Sequence, residues 1–276
     1  MEKEVLREIQ LTQLEIVKVV DEICEKENIQ YYLCAGTMLG GVRHQGFIPW
    51  DDDLDIMLPR DEYTRLMRVL KEKLPKEYWL QTYDTDLDYW QAFAKIRKKN
   101  TVYKEKGMEK IPDSKCGIWI DIFPLDYASK KGTVNLKIRR LLTKGISFSL
   151  RRREFKLKYS AFSRRYIPLL VVLEFIPKKQ IKKMQEKIMK QRSNKSKKYL
   201  VNLASTYEID KETYPIEWFE AKERIKFEDT NLNIPKEYDK YLKQLYGDYM
   251  KLPPVEKRNG HNISEISNVV LKGAIK

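Results

Sequence analysis

Four aspartates, Asp51, Asp52, Asp53 and Asp55, fall within five positions of the stretch "YYLCAGTMLGGVRHQGFIPWDDDLDIMLP". Like charges this close repel one another, and folding alone gives no reason to set them beside an apolar run. The segment "LDIML" reads as a strand, so side chains alternate, with Asp53 and Asp55 on one face and Leu54 and Ile56 on the core face. Two carboxylates are thereby aimed at one point. Hard oxygen ligands of this kind suit Mg²⁺ or Mn²⁺, which complete their shell with water and phosphate oxygens. Asp121, in the apolar run "IWIDIF", is the candidate third carboxylate. Burying it unpaired would cost several kcal/mol, and a metal ion would remove that objection. One strand earlier, Gly36 and Thr37 form a small-residue turn whose backbone N–H groups can approach a phosphate. A phosphate cradle beside a metal-binding carboxylate pair describes phosphoryl or nucleotidyl transfer. The plainer alternative is that Asp51 to Asp53 cap a turn.

The elements that must position these groups are readable from periodicity. Leu6, Ile9, Ile16, Val17, Val20, Ile23 and Cys24 repeat at helical spacing, which predicts an amphipathic helix over residues 4 to 27. "YYLCA" is a short strand, "TMLGGVR" a short helix, and "LDIML" the acidic strand. Asp61 is the expected N-cap of a helix carrying Leu66, Met67, Leu70 and Leu74. "YWLQTY", "AFAKIRK" and "GIWIDIF" are further strand candidates, and beyond the middle of the chain "KYLVNLA" and "ERIKFED" are two more. Pro235 is expected to open a helix that Gly247 closes. Helices and strands mixed in this order read as α/β or α+β.

Bulk properties bound the rest. The 276 residues, 42% hydrophobic and 11% aromatic, are sufficient for a globular core. The net charge of +14 hides a division: residues 130 to 198 hold 23 Lys and Arg against Glu154, Glu174 and Glu186, a net of +20, which leaves −6 for the remainder. Three cysteines without a C-x-x-C pair or a histidine cluster argue against a disulfide framework and a zinc site, and point to a reducing cytosol. The N-terminus mixes charges into its apolar stripe, unlike a signal peptide. The longest apolar run, "IPLLVVLEFIP", is interrupted by Glu174 and is shorter than the roughly 20 residues a membrane span needs.

The stretch "GTMLGGVRHQGFIPWDDDLDIMLPRDEY" resembles the conserved block of the LicD family, and "AFAKIRKKNT", "IDIFPLD" and "LYGDYMKLPPVEKRNGH" look like further family blocks. The basic middle segment is not covered by it. The resemblance implies a nucleotidyltransferase-like α+β fold, a mixed sheet flanked by helices. The pattern of the chain itself, long helices with basic faces from Lys130 to Lys198, divides it into residues 1–129 as catalytic core, 130–198 as a basic helical insertion and 199–276 completing the catalytic unit. It also implies transfer of phosphocholine from CDP-choline to a sugar hydroxyl of a teichoic acid or related surface glycan, releasing CMP. Fukutin-related proteins, which use CDP-ribitol, are similar around the same motif. By this likeness Gly36 and Thr37 correspond to the nucleotide-binding turn, Asp53 and Asp55 to the metal pair, and Asp121 to the third carboxylate and proton acceptor. Arg43, His44, Lys95 and Arg97 are candidate phosphate contacts, and Trp50 either walls the nucleotide or packs. Tyr246, Gly247, Asp248 and His261 belong near the site without assigned chemistry.

The basic segment suggests adsorption to an anionic membrane, each Lys or Arg near the surface contributing about 1 kcal/mol. A lipid-linked glycan acceptor would make docking on the inner face of the plasma membrane useful to a cytoplasmic enzyme. A solvated basic face is the alternative, and nucleic acid is not expected, because no nucleic-acid-binding motif is present. Three functions compete: the phosphocholine transferase or its ribitol or glycerol analogue, a conventional nucleotidyltransferase that releases pyrophosphate, and a non-catalytic basic scaffold binding membrane or RNA.

Overall fold

The computed structural model describes residues 3–105, 108, 111–155, 167–190, 198–258 and 266–270. In chain order the elements are α1 (Lys3–Lys26), β1 (Tyr32–Leu33), α2 (Ala35–His44), β2 (Asp55–Pro59), α3 (Arg60–Lys73), β3 (Tyr78–Gln81), β4 (Ala94–Lys98), β5 (Val102–Glu105), β6 (Trp119–Ala128), α4 (Val134–Phe155), α5 (Ile167–Glu174), α6 (Lys178–Met189), β7 (Tyr199–Val201), β8 (Thr213–Pro215), β9 (Lys222–Phe227), β10 (Thr230–Pro235), α7 (Tyr238–Tyr246) and β11 (Ile266–Val270). This is an α+β protein. It divides into two compact units, one formed by Met1–Leu80, Lys95–Phe123 and Trp218–Lys276, the other by Gln81–Ala94 and Pro124–Glu217.

The first unit carries the acidic motif. Its sheet runs in the order β1-β2-β6-β4-β3. β1 and β2 are antiparallel, with Tyr32 opposite Met57 and Leu33 opposite Ile56. The apolar stripe of α1 is buried along its length, from Ile9 through Val17 and Val20 to Cys24. Gln10 and Gln13 interrupt the stripe yet are buried too, because their amide groups donate to backbone carbonyls of the acidic loop, Asp51 O at 2.8 Å and Asp52 O at 2.9 Å. The β9–β10 hairpin pairs Phe227 with Thr230 and turns through Glu228 at φ 56°.

Two expected helix starts move. The N-cap position of α3 belongs to Pro59, and Asp61 lies in the first turn, where its charge still suits the helix dipole. Pro235 does not open α7: it ends β10 opposite Lys222, and the helix begins three residues later at Tyr238. A proline lacks a ladder donor, and the last position of a strand tolerates that. Gly247 closes α7 as expected, at φ 70° with its N–H donating to Lys243 O at 2.9 Å. None of the three cysteines forms a disulfide, and all three are buried.

The second unit packs α4 against α5 and α6. Arg139 holds the end of α6 through Ile188 O at 3.1 Å and Met189 O at 2.6 Å, and Gln185 reaches Thr143 O at 2.7 Å. The last residues of β6 pair antiparallel with β7, Asp126 opposite Val201 and Ala128 opposite Tyr199, and β7 pairs with β8. Basic residues of this unit are thus partly structural, which net charge alone does not reveal.

One close approach in the first unit sets β4 and β6 at their required distance. A β-carbon on Gly117 would press on the backbone of Lys98, coming within 3.1 Å of its carbonyl carbon. Backbone cannot rotate away as a side-chain end can. Gly117→Ala is therefore expected to destabilise the protein by about 1–3 kcal/mol, read as a lower denaturation midpoint at unchanged m-value; an unchanged midpoint would contradict the tight packing.

Candidate active site

One backbone bond and one bond to a side-chain hydroxyl fasten the start of α2 to the start of β2. Cys34 N–H donates to Asp55 O at 3.2 Å, and Asp55 N–H donates to the Thr37 hydroxyl at 2.8 Å. Gly36 and Thr37 thus lie in the first turn of α2, directly beside the acidic strand. Ala35, at φ 44°, makes the turn into the helix, and its N–H donates to the Tyr241 hydroxyl at 3.1 Å. Gly36 is required here for room: a β-carbon would lie 2.7 Å from Asp51 Oδ2. The Asp51 carboxylate therefore rests over the N-terminal turn of α2, where the helix dipole favours negative charge.

The four clustered aspartates separate into two kinds. Asp52 is 3% exposed and accepts a 2.6 Å bond from the buried Tyr103 hydroxyl, so it fastens the loop to β5. Asp51 faces Gly36. Asp53 and Asp55 remain, and Asp121 joins them across the sheet, its N–H donating to Leu54 O at 3.0 Å. Burial pushes the Asp55 carboxyl well above the usual carboxylate range, and repulsion from Asp53 and Asp121 adds to this, with Lys95 pulling the other way. Asp55 Oδ1 is buried and has no hydrogen-bond partner. Asp121 is also raised by burial, opposed by Lys95, Arg97 and a hydrogen bond from Trp119.

Lys95 is the counter-charge within the cluster. Its ammonium donates to Asp121 Oδ1 at 2.5 Å and stands 4.3 Å from the centre of the Trp119 ring. Arg97, on the same strand, lies 4.7 Å from that ring and donates to Gly117 O at 2.8 Å, 4% exposed. Trp119 in turn stacks on Tyr103 at 4.7 Å. One continuous network therefore links Asp52, Tyr103, Trp119, Lys95 and Asp121.

A second, cationic patch forms around Trp50. Arg43 donates to Tyr249 O at 2.7 Å, His44 meets the Trp50 ring edge-on at 6.1 Å, and Arg258 lies 5.3 Å from the same ring. Burial lowers Arg43 and His44, and each also feels a neighbouring cation, Arg258 and Arg43 respectively. Arg258 is a site candidate that the reading from sequence did not single out, although it stands within the block "KLPPVEKRNGH". Tyr103, Trp119, Gln10 and Gln13 were missed as well, since nothing local to their segments points to the acidic loop. His261 lies outside the described residues.

Among the described residues, no three His, Cys, Asp or Glu side chains already converge as a metal cage. The donor chemistry nonetheless fits a hard divalent cation: an orphaned buried carboxylate oxygen on Asp55, with Asp53 and Asp121 as its electrostatic neighbours. An ion there would satisfy the oxygen that the protein leaves unpaired.

Comparison with known proteins shows the family. A family model described as LicD/FKTN/FKRP, nucleotidyltransferase domain, matches residues 28–168, a span that includes Gly36, Thr37, Asp53, Asp55, Lys95 and Asp121. The lipopolysaccharide cholinephosphotransferase LicD of Haemophilus influenzae is 30% identical over 276 aligned residues, covering 96% of this chain and 98% of that protein. An uncharacterised protein of Rickettsia prowazekii is 42% identical over 62 residues, 22% of this chain and 23% of its own length. With half the sequence matched by the family model and nearly its whole length aligned to a curated relative, the chain belongs to the LicD family.

Proposed function

We propose that this protein transfers phosphocholine from CDP-choline to a hydroxyl of a teichoic acid or related cell-surface glycan and releases CMP, using a nucleotidyltransferase-like site in its first unit. The observation that carries the reading is the cluster of Asp53, Asp55 and Asp121 around an unpaired carboxylate oxygen, in a chain similar over its length to a cholinephosphotransferase. Asp53, Asp55 and Asp121 would hold Mg²⁺ or Mn²⁺, which when bound supplies positive charge to the donor's diphosphate.

The residues of the chain divide the remaining work. Gly36 and Thr37, in the first turn of α2, would offer backbone N–H groups to a phosphate that displaces the Asp51 carboxylate from over that turn. Thr37 does this with its hydroxyl already committed to Asp55 N–H. Lys95 and Arg43 offer cations to the two phosphates, and Trp50 offers a ring face to the cytosine. The acceptor oxygen attacks the phosphorus that bears choline, and its proton passes to the Asp121 carboxylate. The bond from that phosphorus to the bridging oxygen breaks, and CMP departs with the electron pair. Lys95, bonded to Asp121 Oδ1, fixes the carboxylate for this task.

The second unit would hold the enzyme against an anionic membrane carrying a lipid-linked acceptor. No helix among the described residues is long and apolar enough to cross a membrane. Instead α5 buries Leu170 and Leu173 and exposes Val171 at 40% and Val172 at 60%, with Phe175 just beyond it at 84%. Apolar groups placed outward beside a +20 segment suit the lipid interface.

Asp53→Asn and Asp55→Asn are each expected to lower turnover with CDP-choline at least about a hundredfold. Because Asp55 is crowded by like charges, its asparagine variant should raise the thermal midpoint of the metal-free protein, and near-normal turnover in either variant would remove the assignment. The reaction itself is checked with a GalNAc-containing acceptor, Mg²⁺ and each of CDP-choline, CDP-ribitol and CDP-glycerol, following CMP and product mass. CMP with a phosphocholine-bearing product is expected; pyrophosphate from CTP with a cytidylylated acceptor would indicate a conventional nucleotidyltransferase. In flotation, the protein should rise with anionic and not with neutral vesicles, and salt should release it. Equal recovery with both would end the membrane reading.

A further inference from the structure

The second unit contains a cavity of about 490 Å³ that the transfer chemistry does not use. One wall is a single face of α4, where Lys137, Arg140 and Lys144 stand at helical spacing with Leu141 and Phe148 between and beyond them. Leu170 of α5, fully buried, supplies the apolar floor. The wall is therefore cationic at one end and apolar at the other.

Arg140 is the informative residue. It is 9% exposed and donates through Nη2 to Ser205 O at 3.0 Å, while Nη1 is buried with no hydrogen-bond partner. A guanidinium is rarely left with an idle, desolvated N–H, since the unmade bond costs about 1–3 kcal/mol. Burial lowers both Arg140 and Lys144, and the charge of Glu212 offsets part of this for each. Two acids, Glu208 and Asp210, also line the cavity, and the buried Glu212 faces Arg140 and Lys144 from beneath. Among the described residues, none of these three acids makes an ion pair within 4 Å of Lys137, Arg140 or Lys144; Glu212 instead accepts from the hydroxyls of Ser205 and Tyr214. Lys137, Arg140 and Lys144 thus line the cavity with no acid paired to them within 4 Å among the described residues, and Arg140 keeps one buried donor unbonded.

The geometry points to a binding site for a phosphate-bearing lipid: the phosphate held by Lys137, Arg140 and Lys144, and the first carbons of the chain laid on Leu141, Phe148 and Leu170. The lining sets three cations against Glu208 and Asp210, an excess of positive charge that favours an anionic headgroup. The exit selects a lipid over free phosphate, because Leu141 is 42% exposed at the rim, and α5, which supplies the floor, turns Val171 and Val172 outward. This rests on the proposed function only in expecting a membrane nearby; the binding itself does not require transferase activity.

The test is a calorimetric titration of the full-length protein with monomeric dihexanoyl phosphatidic acid, inorganic phosphate and dihexanoyl phosphatidylcholine, without donor or acceptor. Phosphatidic acid should bind saturably and equimolarly, at least about tenfold tighter than inorganic phosphate. The double variant Lys137→Gln/Lys144→Gln, at exposed positions whose ammonium groups make no ion pair among the described residues, should lose about tenfold for phosphatidic acid with an unchanged thermal midpoint. Leu141→Asp should weaken phosphatidic acid and leave inorganic phosphate unaffected. Equal affinity for phosphate and lipid would reduce the cavity to an anion site and overturn the lipid assignment. Absence of phosphatidic acid binding, or binding unaltered by the double variant, would overturn the site altogether. Turnover with a water-soluble acceptor should be normal in both variants, so failure of transfer in the wild type would count against the proposed function and not against this site.

Discussion

The contact between the Lys95 ammonium and the Asp121 carboxylate allows the first unit to gather Asp53, Asp55 and Asp121 in one buried place. Three carboxylates without a counter-ion would drive the strands apart or take up protons, and a single buried cation offsets only part of that repulsion. The residue is visible at Asp55, whose Oδ1 has neither proton donor nor solvent. An asparagine or an apolar side chain there would remove that cost, and the proposed divalent cation would offset it. Lys95 must in turn be held, since an ammonium this buried needs more than one neighbour. The Trp119 ring supplies the second, and Tyr103 stacked against Trp119 ties the arrangement to Asp52 and the loop.

This dependence explains which parts of the site were legible in the sequence. Asp53 and Asp55 stand at i and i+2 around Leu54, so one strand places them on one face, and Asp121 repeats the same anomaly of an acid inside an apolar strand. Local spacing was sufficient for these. Asp51 and Asp52 were not separable from sequence, because their roles come from residues 15 and 51 positions away: Gly36, which leaves room for one carboxylate, and Tyr103, which binds the other. Thr37 shows the same limit in a smaller way. Its proximity to the site follows from sequence, whereas the hydroxyl's bond to Asp55 N–H is a tertiary fact.

The fold was legible where apolar periodicity is strong, as in α1, β2, β4 and β6. β5, β8 and β10 went unread for separate reasons. β5 is the polar "VYKE", β8 is three residues long, and β10 carries asparagines at 231 and 233, a residue type that usually marks turns. Pro235 misled for a related reason: a proline is as suitable at the end of a strand as at the start of a helix, and only its partner Lys222 decides between them.

The second unit shows why net charge is a coarse guide to function. Arg139 is spent on the carbonyls ending α6, and Arg153 on Ile176 O at 2.8 Å, so these cations hold helices together and are not offered to a partner. Lys178 answers Glu154 and Asp88. What distinguishes Lys137, Arg140 and Lys144 is position: they share one face of α4 with Leu141 and Phe148, beside a cavity and without ion pairs among the described residues. Sequence spacing put them on a common face, but only burial of the Arg140 guanidinium with an idle N–H marks that face as one built to meet an anion. The same physical sign, a desolvated polar atom with nothing to bond, marks Asp55 in one unit and Arg140 in the other, and the opposite charge in the two places is why the proposed ligands are a cation for one and an anion for the other.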